Sequence, residues 1–226
     1  LIYELSKLRF SLRLDPGNLI QDIENIDVFE KAQATGRGVL LLMPHLGCWE
    51  FMNVFLKGRT KVSALYDKPN VNGLDDFITS TREKFGARMF PINVSGLRQV
   101  FKSLERNELL VFLPDQVPDY GARGFIGTFF GHDAYTSDLV HRVISKYDSE
   151  IVFGLVMRDF SEGRVKYRIC FEKPADEIYS KDVEVHISSL NRSLERLVMK
   201  APEQYQWSYK RYKRLNKSEK NIYRRQ

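Results

Sequence analysis

Short apolar runs alternate with segments of helical period along most of this chain, and this alternation restricts the fold more than any other feature. Buried strands of a mainly parallel sheet give continuous apolar runs, whereas the covering helices carry apolar side chains every three or four positions. Such runs predict strands near residues 38–44, 61–66, 88–92, 109–114, 125–130, 150–157 and 164–171. The chain is therefore expected to be an α/β protein whose sheet is covered by helices.

Helical spacing predicts the covering layers, and it recurs within residues 74–85, 97–104, 139–147 and 187–198. Gly163 supports a tight hairpin between the last two predicted strands, which makes the sheet mixed. No repeat, low-complexity tract or linker divides the chain. We therefore expect one domain with a central mixed, mainly parallel sheet of about seven strands flanked by helices. Residues 1–36 are weakly patterned, and we expect a peripheral segment of one or two short helices there.

Composition excludes several classes of protein. With 43% hydrophobic and 28% charged residues, the chain is neither disordered nor collagen-like. Cys48 and Cys170 are too few for a disulfide scaffold and indicate a reducing compartment. No apolar run reaches the ~18 residues of a membrane-spanning helix. The first residue is Leu1 rather than Met, so an upstream anchor or signal stays open.

Positive charge is concentrated at the carboxyl end of the chain. Residues 200–226 hold nine of the 35 basic side chains but only two of the 29 acidic ones. We interpret residues 215–226 as a basic tail. Such a tail suits an anionic membrane surface, a phosphorylated ligand or an acidic protein, and a solvated, frayed terminus is the simpler interpretation. The chain has no RNA-binding aromatic signature and no recognition-helix motif, so no nucleic acid partner is expected.

The segment from Gly38 to Phe51 carries the pattern that best indicates chemistry. An apolar run ends at Pro44 and a helix is expected to begin near Gly47, which places His45 in the turn at the carboxyl end of a strand. Ligands of open α/β sheets usually bind at that edge. Glu50 follows in the first helical turn, where its carboxylate could hold one imidazole nitrogen and leave the other to take a proton from a hydroxyl.

Other interpretations of this turn stay open. His45 could close the turn through backbone hydrogen bonds, with Glu50 complementing the helix dipole. Cys48 could act as a nucleophile beside His45, but nothing marks its thiol as activated and a small apolar role fits better. No metal site is expected, because the other three histidines lack ligand spacing, namely His132, His141 and His186.

The stretch around His45 resembles the histidine/four-residue/acid motif of the glycerolipid acyltransferase superfamily, most closely the late acyltransferases of lipid A biosynthesis. Further segments are similar to the family's later blocks and follow in the same order across residues 36–214: Arg82 to Ala87, Gly96 to Arg98, Pro114 to Gln116, Phe129 to Gly131, Pro202 to Trp207, and Tyr209 to Arg211. Two positions differ from the family's common pattern. Asp67-Lys68-Pro69 stands in place of Arg-Pro-Pro, and Cys48 stands in place of Asn.

The resemblance implies an acyltransferase domain over residues 1–214, transferring groups other than aminoacyl groups. It implies acyl carrier protein as the acyl donor and a hydroxyl of a phosphorylated glycolipid, a lipid A precursor, as the acceptor. His45 would be the general base, and Glu50 would orient the imidazole. No cofactor is required. The resemblance also implies that the protein lies at the cytoplasmic face of a bacterial inner membrane. It would be bound there peripherally or held by an upstream anchor.

Four further residues are candidates for binding substrate. The resemblance implies that Arg82 faces the cleft and binds an acidic group. Asp115 and Gln116 follow a buried strand and are expected to fix the end of the cleft or, for Asp115, to pair with Arg82. Arg158 directly follows a predicted strand and is a further anion contact. Each of the four could equally be an ordinary surface or turn residue.

The resemblance leaves the acceptor open, because the same chemistry serves acyl transfer to a lysophospholipid or another amphipathic acceptor. A non-catalytic basic membrane-binding module is the alternative from another class of protein. In the enzyme, the tetrahedral oxyanion needs hydrogen-bond donors, and we expect the helix amino terminus near Gly47 to supply them. Residues 117–124 contain two glycines and a proline and are predicted to form a mobile loop that admits an acyl chain.

Overall fold

A computed structural model describes residues 6, 8, 16–69, 73–118, 121–161, 163, 165–214 and 223. Nine strands lie within these residues: β1 Ile20–Glu24, β2 Val39–Leu42, β3 Val62–Tyr66, β4 Ala87–Pro91, β5 Leu109–Phe112, β6 Gly124–Phe129, β7 His132–Ser137, β8 Glu150–Asp159 and β9 Lys166–Glu172. The same residues contain six α-helices: α1 Ile26–Ala34, α2 Phe51–Leu56, α3 Leu74–Lys84, α4 Val94–Glu105, α5 Leu139–Lys146 and α6 Val183–Val198.

Seven of the strands form one mixed sheet in the order β1-β9-β8-β2-β5-β3-β4. Strands β2, β3, β4, β5 and β8 are parallel, and β9 turns back antiparallel to β8. This architecture confirms the predicted α/β domain with a mixed, mainly parallel seven-stranded sheet and the hairpin between the last two strands. The turn of that hairpin contains Gly163 with a positive φ of 70°, a conformation that glycine adopts without strain.

Strand β2 lies at the centre of the sheet and is buried along its whole length. Because successive side chains of a strand point to opposite faces, its residues divide between two apolar layers. Val39 and Leu41 pack in the layer that contains α1 and α2. Leu40 and Leu42 pack in the layer that contains α4, α5 and α6. The continuous apolar run at this position therefore reflects burial on both faces.

The strands that complete the sheet differ from the predicted ones in two places. The predicted strand at 125–130 is β6, and it pairs with β7 in a separate two-stranded hairpin that packs on α6. The seventh strand of the sheet is β1, in the segment where only helices were expected. β1 and β7 carry polar side chains at several positions and have one neighbouring strand each, so neither gives a continuous apolar run. Residues 1–5, 7 and 9–15 of that segment lie outside the described residues.

The sheet order defines one edge as the place for a ligand site. The chain leaves β2 toward β3 on one side, and β8 lies on the other side of β2. The parallel strands β2, β3, β4, β5 and β8 all end at the same edge of the sheet. A crevice therefore opens beyond the carboxyl end of β2, where open α/β sheets bind their ligands.

Burial of His186 on α6 makes the stability of the fold depend on pH. Burial lowers the pKa of its imidazole to about 4. The hydrogen bond of Nδ1 to the Ile178 carbonyl opposes this shift, as does the charge of Asp138, and the neighbouring His141 adds to it. The folded protein therefore binds fewer protons than the unfolded chain between pH 6.5 and 4. We expect about 3 kcal/mol of unfolding free energy to be lost as the pH falls through this window.

Urea unfolding at several pH values checks this expectation. His186→Gln should flatten the fall between pH 6.5 and 4, because glutamine does not titrate. His132→Gln is the matched control, since His132 is exposed on β7 and its removal should leave the slope unchanged. An equal slope in the wild type and His186→Gln would contradict the assignment.

Candidate functional site

The turn after β2 is held by backbone hydrogen bonds on both sides. The Gly47 amide donates to the Gln204 carbonyl at 3.1 Å, and the Cys48 amide donates to the Val156 carbonyl at 2.9 Å. Gly47 has a φ of 60°, and a Cβ at this position would lie 2.0 Å from the Val156 oxygen. Only glycine fits such a position, so the glycine two residues after His45 fixes the path of the turn.

His45 pairs with Asp115. The His45 Nδ1 lies 2.6 Å from Oδ1 of Asp115, and the His45 amide donates to Oδ2 at 2.8 Å. Asp115 is 1% exposed. The pairing follows from the sheet, because Leu42 of β2 is in register with Phe112 of β5 and each partner lies three residues beyond its strand position. With Nδ1 held by the carboxylate, Nε2 is the nitrogen whose lone pair can accept a proton.

Glu50 has a different partner from the one expected. Its carboxylate accepts from Nη2 of Arg82 at 2.7 Å and from Nε at 3.2 and 3.3 Å, and both side chains are buried. The guanidinium also lies 4.9 Å from the centre of the Trp49 ring. Glu50 therefore pairs with Arg82, where it was expected to hold the His45 imidazole, and Asp115 does not take the Arg82 pairing that was one of its two expected roles. The carboxylate that holds the His45 ring is Asp115.

A cleft of about 620 Å³ opens in front of this turn. Of the predicted site residues, His45, Arg82, Gln116 and Arg158 line the cleft, whereas Glu50 and Asp115 are buried behind it. The rest of its wall is largely apolar and includes Trp49, Leu65, Pro69, Leu74, Ile78, Ile92, Phe112 and Leu113. The structure thus brings all six predicted residues to one edge of the sheet, around an apolar cleft with a few polar groups.

Arg158 supports the turn as well as lining the cleft. It lies within β8, and its Nη2 donates to the Gly47 carbonyl at 2.8 Å. The Gln204 side chain bonds both backbone groups of Arg158, at 2.9 Å to the amide and 3.0 Å to the carbonyl. Arg158 is therefore a cation held at the cleft by the same strand that fixes the turn.

Residues 6–214 match the family of bacterial lipid A biosynthesis acyltransferases. The chain belongs to this family. It is 29% identical over 211 residues to a lipid A biosynthesis palmitoleoyltransferase of Escherichia coli K12, covering 89% of the chain and 64% of the relative. It is 25% identical over 199 residues to the lauroyltransferase of the same organism, covering 85% and 61%, and 23% identical over 208 residues to its myristoyltransferase, covering 90% and 62%. The matches thus span less than two thirds of each relative.

In this member of the lipid A acyltransferase family, four amides around the helix start, where oxyanion donors were expected, are engaged in backbone hydrogen bonds. The amides of Gly47, Cys48, Phe51 and Met52 already donate to backbone carbonyls. Three side chains that line the cleft also carry hydrogen-bond donors, namely Gln116, Arg158 and Gln206. Cys48 is fully buried in the apolar layer, which confirms its small apolar role.

The carboxyl-terminal segment holds residues whose place the sequence analysis missed. Arg211 was counted with the basic residues of the carboxyl end, but its guanidinium is buried in the domain. Tyr209 reaches the predicted mobile loop, where its hydroxyl accepts from the Val117 amide at 2.9 Å. Residues 119 and 120 of that loop lie outside the described residues. Tyr209 and Arg211 belong to a block that resembles the family, but residue type alone does not reveal that a basic side chain is buried.

The Glu50–Arg82 pair predicts a strong energetic coupling. Glu50→Gln leaves a buried guanidinium without its counter-charge, so we expect a loss of about 3–5 kcal/mol in unfolding free energy. Arg82→Met should lower the unfolding free energy by a similar amount, because it leaves the buried Glu50 carboxylate without its counter-charge. The double variant should be less destabilised than the sum of the two, because it leaves no unpaired charge. Urea denaturation of the four proteins measures the coupling, and additive losses would contradict a direct buried ion pair.

Proposed function

We propose that this chain is an acyltransferase that moves a fatty acyl group from the thioester of acyl carrier protein to a hydroxyl of a phosphorylated glycolipid, a lipid A precursor. The observation that carries the proposal is the His45–Asp115 pair, which lies at the mouth of an apolar cleft in a chain of this family. A non-catalytic membrane-binding module would not need a histidine held in this way beside a buried carboxylate.

The proposed reaction uses His45 as the general base. Nε2 takes the proton of the acceptor hydroxyl while the hydroxyl oxygen attacks the thioester carbonyl carbon. The tetrahedral intermediate collapses with cleavage of the carbon–sulfur bond, and the imidazolium returns the proton to the departing thiolate. The products are the acyl ester and the free thiol of the carrier. Asp115 holds the imidazole in the tautomer that leaves Nε2 unprotonated and stabilises the imidazolium while it exists.

The electrostatic environment of Asp115 fits this role. Burial raises the pKa of its carboxyl, but the charge of His45 and its two hydrogen bonds lower the pKa by more, so the net shift is downward. Asp115 is therefore a carboxylate at neutral pH. A buried negative charge beside Nδ1 favours the protonated ring in the transition state, which is the condition for efficient proton transfer.

Charged and polar side chains around the cleft are proposed to bind the anionic parts of the substrates. Arg158 is held at the cleft and is the candidate for the oxyanion or for an acceptor phosphate, and Gln116 is a second donor. Arg82 also lines the cleft, but its Nε and Nη2 already donate to Glu50. We therefore propose that the Glu50–Arg82 pair positions the wall of the cleft and that Arg158 contacts the anion.

A lipid acceptor requires the cleft to open toward a membrane. Large apolar side chains lie at the same edge of the sheet as the cleft, each more than half exposed: Ile92, Val94, Phe160 and Trp207. We call these four residues the apolar rim. Ile92 follows β4, Phe160 follows β8, and Trp207 lies two residues beyond Tyr205, which pairs with the turn at Leu46. Of the four, Ile92 lines the cleft itself. Exposed apolar groups on the edge of a protein that carries a lipid-binding opening are typical of a membrane contact.

These features support association with the cytoplasmic face of a bacterial inner membrane, where acyl carrier protein is available as donor. Among the described helices, none is both long and apolar enough to cross a bilayer. Lys210 and Lys213 are exposed in the carboxyl-terminal segment and suit anionic lipid or an acidic carrier protein. The proposed basic tail at 215–226 lies outside the described residues except for Tyr223.

Loss of the base should abolish acyl transfer without unfolding the protein. We expect His45→Ala to lower the rate by about 10²–10⁴-fold, and Asp115→Asn to lose a large part of the same factor because an amide carries no negative charge. Mass spectrometry of the product from acyl carrier protein thioester and a lipid A precursor measures the transfer. His132→Ala, an exposed histidine on β7, is the control. Turnover by His45→Ala near the wild-type rate would refute the proposal.

The apolar rim predicts a specific loss of membrane binding. Val94→Ser should weaken binding to vesicles of phosphatidylethanolamine and phosphatidylglycerol by about tenfold, and Phe160→Ser by at least as much, because each removes one side chain from the contact. Val185→Ser on α6 is the matched control, since that valine is exposed but lies outside the rim. Sedimentation with the vesicles measures binding. Equal loss from the rim and control variants would show that the rim is not the contact.

A further inference from the structure

Strand β8 continues past its last partner in β2, and the backbone on that side needs other hydrogen-bond partners. The register between β2 and β8 ends at Phe153, whereas β8 runs on. The Val156 carbonyl accepts from the Cys48 amide of the turn at 2.9 Å. Two residues farther on, both backbone groups of Arg158 bond the side chain of Gln204. A side-chain amide therefore takes the place of a neighbouring strand at the end of β8.

The Gln204 amide matches the two backbone groups of Arg158 in both distance and polarity. Its Oε1 accepts from the Arg158 amide at 2.9 Å, and its Nε2 donates to the Arg158 carbonyl at 3.0 Å. The Nε2 also lies 3.5 Å from Oε1 of Glu203. The nitrogen thus faces two oxygens and the oxygen faces an N–H group, so these contacts fix the orientation of the amide.

The backbone of Gln204 closes a ring of hydrogen bonds around the turn. The Gln204 carbonyl accepts from the Gly47 amide at 3.1 Å, and the Gly47 carbonyl accepts from Nη2 of Arg158 at 2.8 Å. Gln204 therefore bonds Gly47 through its backbone and Arg158 through its side chain, and Arg158 bonds Gly47 in return. We call this closed cycle of three residues the Gln204 ring. All three of its residues line the cleft.

The segment that carries Gln204 also holds the residue of the proposed base. Gln204 ends a short 3₁₀-helix that follows α6, which fixes the start of its side chain. Two residues later, the Gln206 amide donates to the His45 carbonyl at 3.1 Å. One short segment thus bonds the backbone of His45 on one side and the Gln204 ring on the other. The separation of His45 and Arg158 is therefore set by these bonds.

We propose that Gln204 is a positioning residue that holds Arg158 where its guanidinium meets an anionic oxygen of the substrates. The inference rests on the proposed function, in which His45 removes a proton and negative charge lies in the cleft. That charge is carried by the oxyanion of the tetrahedral intermediate or by a phosphate of the acceptor. A guanidinium binds either one through charge-assisted hydrogen bonds. A cation that is already in place stabilises the anion without reorganisation during the reaction.

The test is a double-mutant cycle between Gln204 and Arg158. Gln204→Met keeps the length of the side chain but removes both bonds to Arg158, so we expect kcat/KM to fall about tenfold. Arg158→Met removes the cation itself and should lower kcat/KM by about 10²-fold. Because Gln204 acts through Arg158, adding Gln204→Met to Arg158→Met should lower kcat/KM by less than about twofold more. Mass spectrometry of acyl transfer from the acyl carrier protein thioester to a lipid A precursor measures all four proteins.

Acceptors with and without their phosphate groups identify the anion that Arg158 binds. If it is the acceptor phosphate, Gln204→Met should raise KM for the phosphorylated acceptor and leave KM for the dephosphorylated one unchanged. If it is the oxyanion, Gln204→Met should lower kcat for both acceptors and leave both KM values unchanged. Either split supports the proposal when the loss disappears in the Arg158→Met background. Gln99→Met is the matched control, since it replaces an exposed glutamine on α4 and should leave kcat and KM unchanged.

Equal losses from Gln204→Met in the wild-type and Arg158→Met backgrounds overturn the proposal, because a merely structural role would lower the rate whether or not the arginine is present. A wild-type rate in Gln204→Met overturns it as well. If Gln204→Met does not fold, Gln204→Glu decides the question, since it keeps the acceptor for the Arg158 amide and loses only the donor to the Arg158 carbonyl.

His45→Ala is measured in parallel to separate this proposal from the proposed function. Turnover by His45→Ala near the wild-type rate refutes the general base, whereas the cycle between Gln204 and Arg158 still reports whether one acts through the other. Absence of transfer by the wild-type protein refutes both.

Discussion

The burial of one carboxylate, Asp115, is the constraint on which the candidate site depends. A carboxylate at 1% exposure must receive hydrogen bonds and opposite charge from the protein, because water is not available to it. The protein meets this requirement with His45, which is 70 positions away in the sequence and bonds the carboxylate through both its amide and its ring. The turn after β2 and the loop after β5 are therefore held together by this one charge.

A second buried carboxylate, that of Glu50, is neutralised by a separate ion pair. Glu50 takes Arg82 as its partner and joins the start of α2 to α3 beside the cleft. The histidine/four-residue/acid spacing thus marks two adjacent polar sites in this chain, and the acid of the motif pairs with Arg82, which lines the cleft. Spacing along a chain shows which residues are close in sequence, but the sheet register decides that His45 meets Asp115.

Much of the fold follows from local patterns. The predicted helix at 74–85 is α3, which spans Leu74–Lys84, and the predicted run at 187–198 lies within α6. The apolar run that begins at Gly38 is the central strand β2. Hydrophobic patterns did not predict the strands β1 and β7, which have one neighbouring strand each and carry polar side chains at several positions. Such strands have no continuous apolar run, and the pairing that creates them is a property of the assembled sheet.

The sequence by itself determined the α/β class and the position of His45 at the carboxyl edge of the sheet. These features depend on hydrophobic periodicity and strand direction, which are encoded locally. Only the tertiary structure decided which carboxylate holds the histidine and which guanidinium pairs with Glu50. Those outcomes depend on the pairing of buried charges across distant segments, because each charge must find its partner in space and its neighbours in sequence do not specify that partner.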